Sequence, residues 1–285
     1  MSRGYITIAQ NSEDIDYLEM AYALALSLGA TQKINNLCVC VDEPTKKLIT
    51  DKHKKVFDAI VDIPWNDDAK GDKWKIHNKW KYQHMTPYDE TVILDCDMIF
   101  TSNVDFWWDY LTKKEVWCCT NVKTFRNEDV TSDYYRKKFT QLNLPNVYSN
   151  FTYFKNSGLS HEFFRMVELI MVHWNVYYDK FLKGTGQDWM SADVAYALAI
   201  QLLDIEAETC DYDIKDVPTF VHMKSMVQNV PVNQIQNNWT KSITSELSDD
   251  LSVKIGNFTQ TLPVHYVEKN WMDESKIKQL EDAVL

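Results

Sequence analysis

Glycine and proline are scarce in this chain, seven of each in 285 residues, and no stretch of them reads as a linker. That favours one compact domain over tethered ones. No G-x-G-x-x-G loop follows the first apolar run, so a dinucleotide fingerprint is missing. The six cysteines, Cys38, Cys40, Cys96, Cys118, Cys119 and Cys210, form no C-x-x-C pair, which argues against a zinc site. Most lie in apolar, strand-like runs, where a reduced thiol packs as a small hydrophobe. Basic residues are outnumbered, 30 Lys and Arg against 41 Asp and Glu, for a net charge of −11. A general polyanion binder is thereby excluded, and nucleic acid would need a local basic patch. No apolar run reaches the roughly 18 residues that span a bilayer, and with a strand expected at Tyr5–Ala9 no signal peptide is expected. A reduced, soluble, cytoplasmic protein is expected. Aromatic residues are plentiful at 13%, ten of them Trp, which suits a packed enzyme with ring-lined clefts.

Short apolar runs alternate with helical patterns through the first 120 residues. Strands are expected at Tyr5–Ala9, Leu37–Val41, Val56–Ile63, Thr91–Asp97 and Glu115–Thr120. Between them, helices are expected at Asp14–Leu28, Thr45–His53, Lys73–Met85 and Val104–Leu111. Strand–helix alternation predicts an α/β fold, a Rossmann-like, mixed but mostly parallel sheet flanked by helices. Lys123–Pro145 is polar and reads as an excursion or lid, and Val147–Phe154 as another strand. Phe163, Val167, Ile170, Trp174, Tyr177 and Phe181 form one helical stripe; Trp189, Ala192, Tyr196, Ala199 and Leu203 form a second. Both are expected to face the core. The tail from Asp211 is irregular. We expect a single domain over residues 1–285, with 1–120 as a nucleotide-binding half and 121–285 as an acceptor half with a closing segment.

The most informative segment is Thr91-Val92-Ile93-Leu94-Asp95-Cys96-Asp97. Residues i and i+2 of a strand share a face, so Asp95 and Asp97 can aim at one point past the strand's carboxyl end. Two hard oxygen ligands there suit Mg²⁺ or Mn²⁺ at the sheet edge where ligands bind, and such an ion would grip a diphosphate. Ala9-Gln10-Asn11 occupies the first βα turn, where a nucleotide usually sits, and Tyr17 heads the following helix, placed to stack on a base. Lys79 lies upstream of the acidic pair, placed for a phosphate. Asn150 and Asp188 are polar side chains at the edges of apolar elements; Asp188 also reads as a helix N-cap. His222 and His265 each precede a lysine, Lys224 and Lys269, and either imidazole can complete a site begun by two Asp.

Taken together, these segments resemble the GT-A glycosyltransferases, and within them family eight, which includes glycogenin and the bacterial lipopolysaccharide galactosyltransferases. The most specific likeness is Thr91–Asp97 continuing into Asn103-Val104-Asp105-Phe106-Trp107, which resembles "LDAD…NID-LF". Tyr17-Leu18 with the Ala23–Leu28 run resembles the first helix, Ser149-Asn150-Phe151 the "FNSG" segment, and Asp188–Asp193 "DQD-ILN". His265 to Trp271 resembles the closing "H-F-x-G-x-x-KPW". The family's Gly after the Asn is Phe151 here, and the Gly-Pro elements of the closing motif are missing.

The resemblance implies transfer of a sugar from a nucleotide-diphosphate sugar, a UDP-sugar, to an acceptor hydroxyl, with retention as one outcome. It implies Mn²⁺ or Mg²⁺ on Asp95, Asp97 and His265, with His222 as rival. It further implies a donor held by Ala9, Gln10, Asn11, Tyr17, Lys79, Cys96 and Lys269, and Asn150 and Asp188 beside the donor sugar. A sugar nucleotidyltransferase and a non-catalytic nucleotide-sugar-binding protein are the alternatives. The compact chain is also similar to phage-encoded sugar transferases, so the acceptor is expected to be a glycan or a hydroxymethylated base in DNA, the latter in the cytoplasm of a phage-infected host. Lys70–Lys81 and Arg136-Lys137-Lys138 are the basic patches that DNA would need.

Overall fold

The computed structural model describes residues 1–72, 75–130, 136–184, 189–212, 217–223, 244–266 and 268–285. In chain order the first half contains β1 (Arg3–Ala9), α1 (Tyr17–Thr31), β2 (Leu37–Val41), α2 (Glu43–Lys46), α3 (Asp51–Val56), β3 (Ala59–Asp62), α4 (Tyr82–Met85), β4 (Glu90–Leu94), β5 (Met98–Ile99), α5 (Trp107–Leu111) and β6 (Val116–Cys119). The second contains α6 (Lys137–Gln141), β7 (Tyr148–Lys155), α7 (Gly158–Val172), α8 (Trp174–Tyr177), α9 (Ala192–Leu203), α10 (Glu206–Thr209), β8 (Val221–His222), β9 (Ser245–Leu247), β10 (Val253–Ile255), β11 (Phe258–Gln260), β12 (Val264–His265) and α11 (Glu274–Val284).

Six strands form the central sheet in the order β3-β2-β1-β4-β7-β6. The β3–β2, β2–β1 and β1–β4 pairs are parallel, while β7 runs antiparallel to both β4 and β6. The sheet is thus mixed and mostly parallel, as expected. Because side chains alternate along a strand, the sheet is apolar on both faces. Val39, Val41, Val92 and Leu94 enter one core with α1 and α11, while Cys38, Cys40 and Ile93 enter the other with α7 and α9. All six cysteines are buried and unpaired.

α1 is apolar on nearly every side because it lies between the sheet and α11. Asp16 caps it, accepting from the Glu19 amide at 3.0 Å. On the opposite face Phe163 and Phe164 of α7 meet Tyr196 of α9, with Phe163 and Tyr196 ring centroids 5.2 Å apart, edge to face.

Several local expectations give way to tertiary contacts. Of the expected helix over Lys73–Met85, residues 73–74 lie outside the described residues, and the part from Lys75 is helical only from Lys79, as a 3₁₀ turn (Lys79–Lys81) leading into α4. Asn78 instead joins a polar network, its amide donating to Gln10 Oε1 at 2.8 Å and to Asp67 at 2.7 Å. The long stripe ending at Phe181 breaks at His173 (φ −109°, ψ 36°), which closes α7 and opens α8. The helix expected over Thr45–His53 is two helices, capped by Asp42 and by the reciprocal bonding of Thr50 with His53. The irregular tail contributes the small sheet β11-β10-β9 and, together with β5, the sheet β5-β12-β8, which builds the site. Among the described residues no helix is long and apolar enough to cross a membrane.

Candidate active site

β4 ends at Leu94, one residue short of the acidic pair, so Asp95 and Asp97 occupy the turn after the strand and not the strand itself. Their convergence therefore does not come from strand alternation. The chain leaves the central sheet at Asp95 and enters the small one at Met98, where β5 pairs antiparallel with β12 and sets Met98 opposite His265. The Tyr266 amide donates to the Asp97 carbonyl at 3.1 Å, which locks the register. One ligand atom from each of Asp95, Asp97 and His265 then lies within 4.8 Å of the others. The sequence separates the histidine from the pair; the strand pairing joins them.

His222 sits directly opposite His265 on β8, with ring centroids 5.1 Å apart. It lines the neighbouring cavity and is not part of the three-residue cluster.

Each carboxylate faces a lysine. Lys79 Nζ donates to Asp95 Oδ1 at 2.5 Å, and Lys269 Nζ donates to Asp97 Oδ2, which also lies 3.1 Å from His265 Nε2. Burial pushes the Asp97 carboxyl up, but His265 and Lys269 outweigh it and hold it well below the usual carboxylate range. Burial pulls the Lys79 and Lys269 ammoniums down, yet the facing aspartates raise both above the ordinary lysine value. Two acids and two bases alternate at the end of β4.

The cluster stands in the wall between two chambers. The first, about 760 Å³, is lined by Gln10, Tyr17, Cys96, Asp97, Lys269 and their neighbours. The second, about 670 Å³, is lined by Tyr148, Asn150, Trp174, Trp189, Asp193 and others. Ile76, Lys79, Asp95 and His265 line both. In the first chamber the Lys269 ammonium lies 5.6 Å from the Tyr17 ring centre. Burial pushes the Tyr17 phenol up to about 12 against the pull of Lys269.

Other sequence-predicted residues sit differently. Ala9 is fully buried in β1. The Asn11 amide is spent on the head of α1, accepting from the Leu18 amide and donating to Asp16, both at 2.9 Å. Gln10 lines the first chamber, but its amide donates to Asp42 and Asp67 and accepts from Asn78. Asn150 is aimed by a bulge in β7, where Cys118 pairs with Thr152 but Cys119 with Tyr148. Its amide nitrogen lies 3.0 Å from His265 Nδ1, so it is the outer partner of that imidazole. Phe151 turns away into the core between Trp107, Trp117 and Phe220. Asp188 and Lys224 lie outside the described residues.

Sequence reasoning missed a second acid. Asp193 accepts from the Ser149 amide (2.9 Å), Ser149 Oγ (2.6 Å) and Arg136 Nη1 (2.7 Å). Burial raises its carboxyl, but Arg136 and Ser149 hold it below the ordinary value. Arg136 is itself buried, its guanidinium 3.8 Å from the Tyr148 ring centre, so it does not belong to an exposed basic patch. In sequence, Asp193 reads as an acid in the first turn of a helix, and nothing local tells where it points.

No protein-family model matches the chain, and no curated protein matches it. Among solved structures it is similar to apo mouse xyloside xylosyltransferase 1, at 11% identity and a TM-score of 0.48, over 74% of this chain and 84% of that one. It is also similar to core-mannan synthase A from Aspergillus fumigatus in its Mn/GDP form, at 13% identity and a TM-score of 0.44, over 73% and 72%. A third likeness is to apo glycosyltransferase GlyE of Streptococcus pneumoniae TIGR4, at 10% identity and a TM-score of 0.40; it covers 75% of this chain but only 46% of GlyE. Likenesses this distant carry nothing about chemistry, which rests on the residues themselves.

Proposed function

We propose that this chain is a metal-dependent glycosyltransferase that moves a sugar from a nucleotide-diphosphate sugar, a UDP-sugar by its resemblance to family eight, to an acceptor hydroxyl with retention. One observation carries the reading: Asp95, Asp97 and His265 converge, and each carboxylate is neutralised by a lysine, in the wall between two chambers. Two carboxylate oxygens and an imidazole nitrogen are a donor set that Mn²⁺ and Mg²⁺ accept, with positions left for diphosphate oxygens. The ion, held by those three residues, would supply Lewis-acid stabilisation of the charge growing on the departing diphosphate.

The protein's own residues do the rest. Lys79 and Lys269 exchange their carboxylate partners for diphosphate oxygens, offsetting the leaving group's charge at fixed positions. Tyr17, which Lys269 already approaches, offers its ring face to the base. Asn150 holds the His265 ring in one orientation through Nδ1. Asp193, kept ionised by Arg136 and Ser149, lines the second chamber, where its carboxylate would help stabilise an oxocarbenium-like sugar. The resemblance adds Asp188 beside the donor sugar.

UDP titrated into the protein by calorimetry, with and without Mn²⁺, tests this. Affinity is expected to rise about tenfold or more with the metal, and Asp95→Asn with Asp97→Asn together should abolish the rise. UDP binding indifferent to Mn²⁺ would overturn the reading.

A further inference from the structure

A further cavity of about 590 Å³ adjoins the second chamber, and His77 and Trp174 line both. Trp80 forms part of the outer wall, and Trp65 lies flat against it, ring centroids 5.7 Å apart and planes 10° from parallel. His84 packs edge-on against both indoles. Trp189 and Trp174 thus line the second chamber, Trp174 and Trp80 the outer cavity, and Trp65 stacks on Trp80.

Two of these rings are held in the open. Trp65 is 68% exposed and Trp189 59%. Trp65 also holds a left-handed backbone, φ 59°, which an L-residue adopts only at a cost. Val172 and Val176, which line the same cavity, are exposed as well.

The lining identifies the occupant. Flat indole faces beside short polar side chains suit a ring that is apolar on its faces and hydroxylated at its edge. Asp72 and His77 are among the polar groups of the second chamber, and Asp68, His77, His173 and Asn175 supply those of the outer cavity. Among the described residues lining the outer cavity there is no lysine or arginine. Lys81, nearby, is buried and bound to Asp68, Asn78 and the Asn66 carbonyl. With a net charge of −11 besides, a phosphate-bearing polymer finds no lysine or arginine among the described residues of the outer cavity.

We propose that this groove binds an uncharged oligosaccharide as the acceptor. Its terminal sugar enters the second chamber beside the cluster, and its inner sugars stack on Trp174 and on the exposed Trp65, which Trp80 backs. The inference rests on the glycosyltransferase reading and deepens it by naming the acceptor class.

The test is calorimetry on the full chain with Mn²⁺ and UDP. The probes are unbranched gluco-, xylo-, manno-, galacto- and N-acetylglucosamine oligosaccharides, from disaccharide to hexasaccharide. At least one series should bind with affinity rising roughly tenfold along its length. Trp65→Ala, an exposed substitution, should remove most of that rise while leaving the disaccharide and UDP unchanged; Trp174→Ala should weaken every length. Circular dichroism checks that both variants fold. If UDP binds with Mn²⁺ but no oligosaccharide does, the acceptor groove is overturned and the donor site stands. If an oligosaccharide binds with the expected length dependence but UDP does not, the groove stands and the transferase reading falls. Binding of short DNA at low salt that is lost in Trp174→Ala would overturn the proposal in favour of a nucleic acid.

Discussion

Lys269→Met separates two affinities that most substitutions would move together. Asp95, Asp97, Lys79 and Lys269 sum to zero charge in the structure. A divalent ion entering alone must work against two ammoniums, whereas an ion entering with the two negative charges of a nucleotide-sugar diphosphate restores neutrality. Unit charges about 4 Å apart in an effective dielectric of about 20 interact by about 4 kcal/mol. Lys269 is 22% exposed, so water and salt trim that to about 1–2 kcal/mol, or roughly 5–30-fold in affinity. Removing its charge should therefore tighten Mn²⁺ binding to the free protein by that factor and weaken UDP binding in saturating Mn²⁺ by a similar one. Free Mn²⁺ counted by electron paramagnetic resonance gives the first, and calorimetry the second. A variant that binds both more weakly, or both unchanged, would refute the alternating-charge reasoning.

Three further substitutions probe separate parts of the account. Asn150→Ala should lower Mn²⁺ affinity about 10–100-fold through loss of the His265 Nδ1 partner, with little change in Tm; an unchanged metal titration would show that this contact does not orient the ring. Asp97 and Asp193 both sit below the ordinary carboxylate pKa when folded. Each contributes stability that is complete above the unfolded value of about 4 and is lost as pH falls through the folded value. Tm should thus drop steeply below about pH 4, and Asp193→Asn should flatten part of that drop; parallel Tm–pH curves for the two proteins would contradict this. Finally, a Cβ at Gly4 would lie 2.4 Å from the Tyr88 ring, whose hydroxyl is tied to Asp58 at 2.8 Å. Gly4→Ala should cost about 1–3 kcal/mol in urea unfolding, and a change below about 0.5 kcal/mol would show that the ring yields freely.

The sequence made the central parallel strands and the acidic pair legible, because β1, β2 and β4 are apolar runs bounded by turns. Asp95 and Asp97 were found by type and spacing, although the geometry that unites them is a turn between two sheets. What stayed hidden is long-range. β8 and β12 are two residues long, too short to carry a periodic signal, yet their pairing seats His265 against Asp97. The region before Lys79 has helical spacing, but Asn78 serves Gln10 and Asp67 instead of a helix. Asp193 looks like any first-turn acid, and only the fold brings Arg136 and Ser149 to it. The tryptophans likewise join α8 to the loop before Lys79, a juxtaposition that no local pattern encodes.

Crystals grown with Mn²⁺ and UDP offer the most direct measurement. An anomalous difference map at the manganese edge should show one strong peak bounded by Asp95, Asp97 and His265, with the diphosphate reached by Lys79 and Lys269 and the base against Tyr17. A nucleotide bound without a peak there, or a peak held by other residues, would contradict the account.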